Sequence, residues 1–298
     1  MNSANNTSVD HWVQIPDRLR GLLDYSLGCD ATRWIEDAQN LAIDLANRWD
    51  FFPERVFTGG ALSLVTLGTI RETGEKAVLK IPTNVTSGVH EGRFLSLLAG
   101  KPVPQIYSRD ESTGAFLMQY LPPEPREVDL EALVELWRAL GEISTTETQF
   151  LSVVDNFEMR AEWAHERFAE YDEPKYHQDI AVAIEIFEAL IADTDESSIL
   201  HGDFQNKNIY YSDKRLVVLD PLPCLGSRIY DLAFWLALTA EGDSIDSLVQ
   251  KSANLAGIDY QHLLNWTWSI AVIENRPFQK VGAGRRQEFI DKLRNKVG

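Results

Sequence analysis

The chain has 298 residues, 44% of them hydrophobic and 10% aromatic, which excludes intrinsic disorder and allows one large core or two of moderate size. Its 28 Lys and Arg against 45 Asp and Glu leave a net charge of −17, so it lacks the basic footprint of a nucleic-acid binder and suits a cationic partner. No apolar run reaches membrane-spanning length, and the opening MNSANNTSVDHW has neither the basic flank nor the apolar stretch of a signal peptide. An acidic surface also serves solubility alone, so charge by itself favours a cationic ligand only slightly. The two cysteines, Cys29 and Cys224, are too few for a thiolate cluster and fit a reducing compartment, so the cytoplasm is the expected location. The N-x-[ST] matches at Asn5, Asn84 and Asn265 then carry no weight.

Residues 1–10 are polar. From Val13 to Arg48 the pattern is helical, with Leu41, Ile43, Leu45 and Ala46 near Trp34 and Ile35, and reads as a cap on the β-rich region after it. Phe51-Phe52-Pro53 reads as a break. From Glu54 to Pro82 the chain reads as three strands. Arg55-Val56-Phe57 runs into Thr58-Gly59-Gly60-Ala61-Leu62-Ser63, Leu64 to Ile70 alternates and turns at Thr73-Gly74, and Lys76 to Ile81 returns. Gly59 and Gly60 let backbone amides approach an anion, and Ser63 can add a hydroxyl. A Gly-Gly pair is also an ordinary hairpin turn, and Lys80, otherwise among apolar positions, is also an ordinary edge-strand lysine. A helix is expected from His90 to Leu98, with Phe94, Leu95 and Leu98 on its apolar face. Glu91, at its start, is where a helix dipole favours an acid. A further hairpin joins Gln105-Ile106-Tyr107, through Ser112-Thr113-Gly114, to Ala115–Leu121.

After Pro122 the pattern becomes helical, which places a boundary between residues 1–121 and 122–298. Asp129 caps a helix carrying Leu130, Leu133, Val134, Trp137 and Leu140, and another carries Ile180, Ile184, Phe187 and Ile191. The acidic stretch Glu158 to Glu173 reads as a solvated amphipathic helix, or alternatively as a wall around a cation. Trp266, Trp268 and Ile273 share a later helix with Glu274, and a basic end closes the chain.

The densest pattern lies between Ile199 and Trp235. His201-Gly202-Asp203 is followed five positions on by Asn208, and the apolar run Leu216–Leu219 reads as a short buried strand with Asp220 at its tip. One carboxylate of such a set can orient a hydroxyl nucleophile while the amide oxygen and the other carboxylate hold magnesium against phosphates. Asp and Asn are also plain turn formers, but that explains single residues and not the set.

This order and spacing resemble the H-G-D-x-x-x-x-N loop of the aminoglycoside phosphotransferases, antibiotic kinases related to the protein-kinase fold. The run from Asp220-Pro221 through Gly226 to Tyr230-Asp231-Leu232-Ala233 is similar to that of the streptomycin and hydroxyurea kinases within the family. The resemblance implies an α/β (α+β), two-lobed protein-kinase-like fold. A small β-rich N-lobe with a helical cap and nucleotide lid would precede a larger helical C-lobe. It implies transfer of the γ-phosphoryl group of ATP, or GTP, to a hydroxyl of a small molecule, foremost a cationic aminoglycoside. Gly59, Gly60 and Ser63 would then form the lid, and Lys80, paired with Glu91, would contact the α- and β-phosphates. Backbone groups of Gln119, Tyr120 and Leu121 would meet the adenine. Asp203 would be the catalytic base, and Asn208 and Asp220 would hold Mg2+. Asp231 would hold the loop by accepting hydrogen bonds, with His201 as a brace. Carboxylates in Glu158–Glu173, in Glu241-Gly242-Asp243 and at Glu274 would be candidates to meet the acceptor.

Ten residues, Pro221 to Tyr230, separate Asp220 from Asp231, too few for the peptide-docking segment of a protein kinase. Where streptomycin-type kinases place a lysine after Asp-Pro and an acidic-Pro pair after the glycine, this chain has Leu222 and Ser227-Arg228, which leaves the acceptor open. Other small hydroxylated metabolites or antibiotics, a nucleotide-binding pseudokinase regulator and a nucleotidyl transferase remain as alternatives. The expected protein is a monomer without nucleic-acid or membrane partners.

Overall fold

The computed structural model describes residues 15–57, 62–124, 127–141, 149–169, 174–192, 198–239, 244–276 and 283–297. Two compact units emerge, one comprising residues up to Gly100 plus Pro104–Pro122 and the other Lys101–Val103 plus Pro123 onward. Lys101–Val103 depart from a single boundary near residue 121 because the Pro102 carbonyl accepts a hydrogen bond from Val218 N at 3.0 Å, inside the second unit.

The first unit begins with α1 (Asp17–Leu27) and, after a turn at Gly28–Asp30, α2 (Ala31–Arg48), both within the stretch whose sequence pattern is helical. It continues with β1 (Phe51–Val56), β2 (Ser63–Ile70), β3 (Lys76–Pro82), α3 (Val85–Leu97), β4 (Ile106–Asp110) and β5 (Ala115–Gln119). The five strands form an antiparallel sheet in the order β1-β2-β3-β5-β4. Phe51-Phe52-Pro53 is not a break but the start of β1. Proline lacks an N–H to give a ladder, and β1 lies at the sheet edge, where none is needed. Leu19, Leu23, Ile35, Ala42 and Leu45 of the two helices pack with Leu64, Leu79, Ile81 and Leu117 of the sheet. Burial of each such large side chain is worth about 1.5–3 kcal/mol, so the apolar stripe, not helix propensity, fixes the cap.

Helix α3 starts where the Asn84 side chain accepts from Ser87 N at 3.0 Å. Its first turn lies directly on the β4–β5 connection. A Cβ on Gly88 would overlap both the Gly114 carbonyl oxygen and the Pro82 ring. That close approach brings the buried face of α3, Glu91 included, toward the sheet.

The second unit contains α4 (Leu130–Leu140), β6 (Leu151–Ser152), α5 (Val153–Phe168), α6 (Pro174–Ala192), β7 (Ser198–Leu200), β8 (Ile209–Ser212), β9 (Arg215–Val218), β10 (Cys224–Gly226), α7 (Ile229–Leu238), α8 (Ile245–Ala256), α9 (Tyr260–Ile273) and α10 (Ala283–Leu293). Asp129 caps α4 by accepting from Ala132 N at 2.8 Å. Helix α9 is apolar on nearly every face from Leu263 to Ile273, the mark of a central helix, and it packs against α6 and α7. Phe157 of α5 stacks on Phe187 of α6 at 3.7 Å, and the Trp266 ring presents edges to Phe187 at 5.5 Å and Tyr230 at 6.0 Å. These rings seat Tyr230, and therefore its neighbour Asp231, at the start of α7. The short strands of this unit form a three-stranded sheet β6-β10-β7 and the hairpin β8-β9. No described helix is long and apolar enough to cross a membrane.

Alanine is by about 1 kcal/mol the better helix former, so Gly88→Ala would stabilise an isolated α3. In the folded unit the overlap with backbone dominates, and a net loss of about 1–3 kcal/mol is expected, as for overpacked cores. A urea midpoint that stays level or rises in the variant would show that this contact does not seat the helix.

Candidate active site

Hairpin β8-β9 turns through Asp213 and Lys214, whose φ values of 50° and 64° are both positive, the pattern of a type I′ turn. Its register pairs Ile209 with Val218, and Leu219 N donates to Asn208 O at 2.9 Å. Asn208, just before β8, and Asp220, two residues beyond β9, are thereby neighbours, and Asn208 Nδ2 lies 3.5 Å from the Asp220 carbonyl. Asp220 sits at φ 52°, a left-handed conformation that aspartate tolerates better than most residues and that often accompanies function.

His201-Gly202-Asp203 leaves β7 and is pinned by the buried carboxylate of Asp231. His201 N donates to its Oδ2 at 2.7 Å and Gly202 N to its Oδ1 at 2.8 Å. Burial pushes the Asp231 carboxyl up to about 6, while the two backbone donors pull the other way, so it is ionised at neutral pH. Gly202 has φ 72°, and a Cβ there would overlap the Leu222 carbonyl oxygen, so both conformation and space demand glycine. His201 accepts from Asp203 N at Nδ1, 3.2 Å away, and donates from Nε2 to the Leu219 carbonyl at 2.9 Å. Those partners select the neutral Nε2–H tautomer, and complete burial lowers the ring to about 4. His201 is therefore a brace joining the loop to the end of β9.

Asp203 is the focus of this unit. Its Oδ1 accepts from Arg160 Nη2 at 3.1 Å and Gln205 Nε2 at 2.7 Å, and its Oδ2 from Asn208 Nδ2 at 2.9 Å. Lys207 Nζ lies 3.3 Å from Oδ2 on an exposed side chain. Burial raises this carboxyl, but Arg160 and Lys207 outweigh it and hold the group below its ordinary range. The Asn208 amide also donates to the Asp203 carbonyl at 2.8 Å, so Nδ2 is turned to Asp203 and Oδ1 is the atom left for a cation.

No sequence motif singles out Arg160, which projects from α5 into the core. Its Nε donates to Asn156 Oδ1 at 2.9 Å, Nη1 to Glu274 Oε1 at 2.7 Å, and Nη2 to the Gly202 carbonyl at 2.9 Å as well as to Asp203. The guanidinium lies 4.4 Å from the centre of the Phe234 ring, and Tyr230 donates to Asn156 Oδ1 at 2.9 Å. Glu274 is 7% exposed, so the expectation that it meets a cationic acceptor is corrected: its carboxylate is occupied by Arg160. Glu158, Glu162 and Glu166 face solvent along α5, whereas 170–173 and Glu241-Gly242-Asp243 lie outside the described residues.

In the first unit Lys80 of β3 and Glu91 of α3 form a buried pair, Nζ lying 2.7 Å from Oε1 and 2.8 Å from Oε2. Ser63 opens β2 opposite Pro82, while Gly59 and Gly60 lie outside the described residues. The N–H groups of Gln119 and Tyr120 donate within the unit, to Gln105 O at 2.8 Å and Lys76 O at 3.1 Å. Those two donors are therefore occupied inside the unit.

Asn208 Oδ1 and the exposed Asp220 carboxylate are hard oxygen donors and fit magnesium, which binds through one or two protein ligands with phosphate and water completing its shell. Among the described residues no group of three or more His, Cys, Asp or Glu could hold a metal, so a site built from protein ligands alone is absent there.

A model of the phosphotransferase enzyme family matches residues 55–263. No curated protein matches the chain in sequence. Among solved structures, it is similar to a protein described as a fructosamine-3-kinase from Thermobifida fusca YX-ER1, with 18% identity, TM-score 0.61, and 85% of this chain and 97% of that one covered. It is also similar to a thermostable mutant of aminoglycoside phosphotransferase APH(4)-Ia in a ternary complex with ADP and hygromycin B, with 14% identity, TM-score 0.56 and coverages of 86% and 98%. A choline/ethanolamine kinase family protein from Mesorhizobium loti follows at 12% identity, TM-score 0.55 and coverages of 86% and 94%. At these identities the likeness is one of fold, a mixed α/β kinase-like architecture.

The neutral state of His201 is directly measurable. With a folded value near 4 against an unfolded value near 6.5, stability is fully present above pH 6.5 and is lost as pH falls toward 4, by up to about 3 kcal/mol from this group. Nitrogen-15 spectra of labelled histidine should show its Nε2–H tautomer unchanged through pH 6.5, where an exposed ring is half protonated. A titration centred near 6.5 would contradict the brace.

Proposed function

Because the chain belongs to the phosphotransferase enzyme family, we propose that it transfers the γ-phosphoryl group of ATP or GTP to a hydroxyl of a small cationic molecule, foremost an aminoglycoside. The observation that carries this is the convergence of Asp203, Asn208 and Asp220, drawn from a loop and two strand ends within one unit. Asp203 accepts a hydrogen bond from the acceptor hydroxyl, aims its oxygen, and takes its proton late in the transfer. Asn208 and Asp220 hold magnesium, which when bound neutralises charge on the phosphates. Lys80, paired with Glu91, supplies a fixed cation for the α- and β-phosphates, and Ser63 with Gly59 and Gly60 supplies donors to them. Asp231 and His201 hold the loop rigid, so that most of the rate comes from positioning and charge. With Cys29 and Cys224 both free, the protein suits the reducing cytoplasm.

For the acceptor, the supports are the net charge of −17 and the family. Glu158, Glu162 and Glu166 remain as exposed carboxylates able to meet ammonium groups. Leu222 and Ser227-Arg228, where streptomycin-type kinases differ, argue for a screen that includes hygromycin-like, fructosamine-like and choline-like hydroxyl compounds.

Asp203→Asn keeps the size of the side chain and removes the proton acceptor. Product formation should fall by roughly two to four orders of magnitude, with Mg-ATP affinity by calorimetry near wild type. A variant that turns over at the wild-type rate would take Asp203 out of the reaction. Once an acceptor is found, its KM should rise steeply as added salt shortens the Debye length toward about 8 Å, with the KM for Mg-ATP changing less. An acceptor KM indifferent to salt would leave the acidic surface explained by solubility.

A further inference from the structure

Arg160 is a cation buried to 6% exposure that the proposed reaction does not use, yet it touches the residue at its centre. Its fork spans four groups that no other described side chain joins in this way. Nε is on Asn156, Nη1 on Glu274, and Nη2 is shared between the Gly202 carbonyl and Asp203 Oδ1. Asn156 is itself fixed, since it accepts from Tyr230 and donates to the Leu222 carbonyl at 3.4 Å. The guanidinium is thus held on three sides, over Phe234 on its face, before it reaches Asp203.

The two oxygens of Asp203 are consequently unequal. Oδ1 is enclosed by two donors, Arg160 at 3.1 Å and Gln205 at 2.7 Å. Oδ2 has the Asn208 amide at 2.9 Å and, as its second neighbour, Lys207, whose side chain is 65% exposed. A carboxylate oxygen has two lone-pair sites, and an exposed lysine is readily displaced, whereas a buried, four-point guanidinium is not.

We infer that Arg160 is a positioning residue that pins Oδ1 of Asp203, leaving Oδ2 as the oxygen that meets the acceptor hydroxyl and receives its proton. This deepens the phosphotransfer reading and rests on it. A lysine cannot replace the fork, because a single ammonium at the end of a flexible stem cannot reach Asn156, Glu274, Gly202 and Asp203 together. The competing explanation is a purely structural ion pair that ties α5 to the end of α9 and touches Asp203 incidentally.

A double-mutant cycle separates the two. The full-length protein is assayed for ADP release from Mg-ATP, first with water alone and then with the best acceptor of the panel. Arg160→Met should lower kcat on the order of 10²-fold, the cost of a misplaced reactive group, with the Kd for a fluorescent ATP analogue unchanged. Arg160→Lys should be intermediate, and so should Glu274→Gln, which keeps the guanidinium but loosens it. In an Asp203→Asn background, Arg160→Met should change the residual rate by no more than about twofold, because its effect passes through the missing carboxylate. Equal losses in both backgrounds, or weakened nucleotide binding in step with kcat, would overturn the inference and leave a structural pair. If Arg160→Met does not fold, the same cycle with Arg160→Lys and Glu274→Gln decides. Absence of turnover in the wild-type protein with every acceptor would instead overturn the phosphotransfer reading, while an Asp203→Asn loss with additive Arg160 effects would overturn only this inference.

Discussion

The second unit depends on a buried carboxylate. Asp231, in the first turn of α7, receives the N–H groups of His201 and Gly202 at 2.7 and 2.8 Å, and so satisfies backbone donors that have no partner in a strand or helix. Unsatisfied buried donors cost about 1–3 kcal/mol each, and here the cost is replaced by two charge-assisted bonds. With those amides fixed, Gly202 can take its left-handed turn under the Leu222 carbonyl, His201 can reach the Leu219 carbonyl, and Asp203 emerges at a defined place beside Asn208. The aromatic packing around Trp266 serves this arrangement, since it seats Tyr230 and hence α7. Core and chemistry are therefore coupled: the packing locates the anion, and the anion shapes the loop.

Much of this is legible in the chain because it is local. Strand β9 is short and apolar, so Asp220 at its tip follows from the pattern Leu216–Leu219, and Asn208 follows from its spacing to Asp203. The kinase-like fold and the family are legible from the same residues. Lys80 and Glu91 can be paired only by analogy, since nothing in eleven positions of sequence states that a helix will fold back over its own strand. The close approach of Gly88 to the Gly114 carbonyl makes that return possible. Phe51-Phe52-Pro53 reads wrongly as a break because proline usually signals one, and only the strand order shows that β1 is an edge where proline is harmless.

Arg160 is hidden for a different reason. Glu158 to Glu173 looks like a charged, solvated helix, and most of α5's charges do face water. Yet the buried positions Val153, Phe157, Arg160, Ala164 and Phe168 recur at helical spacing, which places one arginine in a series otherwise apolar. A charged residue inside such a stripe is a signal, because burying it without partners is prohibitively costly. Those partners, Glu274 and Asp203, are 114 and 43 residues away, a separation that no local pattern can bridge. The same contact removes Glu274 from the carboxylates that could greet a cation, a conclusion out of reach of composition.

The strand order carries one consequence for the chain as it leaves the ribosome. β3 lies between β2 and β5, and β5 follows an excursion, Lys101–Val103, that belongs to the other unit. When residues up to Gly100 have been made, the segment Ala77–Ile81 has β2 on one side and no neighbour on the other. Apart from Lys80 it is wholly apolar, the kind of open strand edge that pairs with other chains. It stays uncovered until residues 115–119 emerge and pair with it, so over that interval the nascent protein carries an open apolar edge.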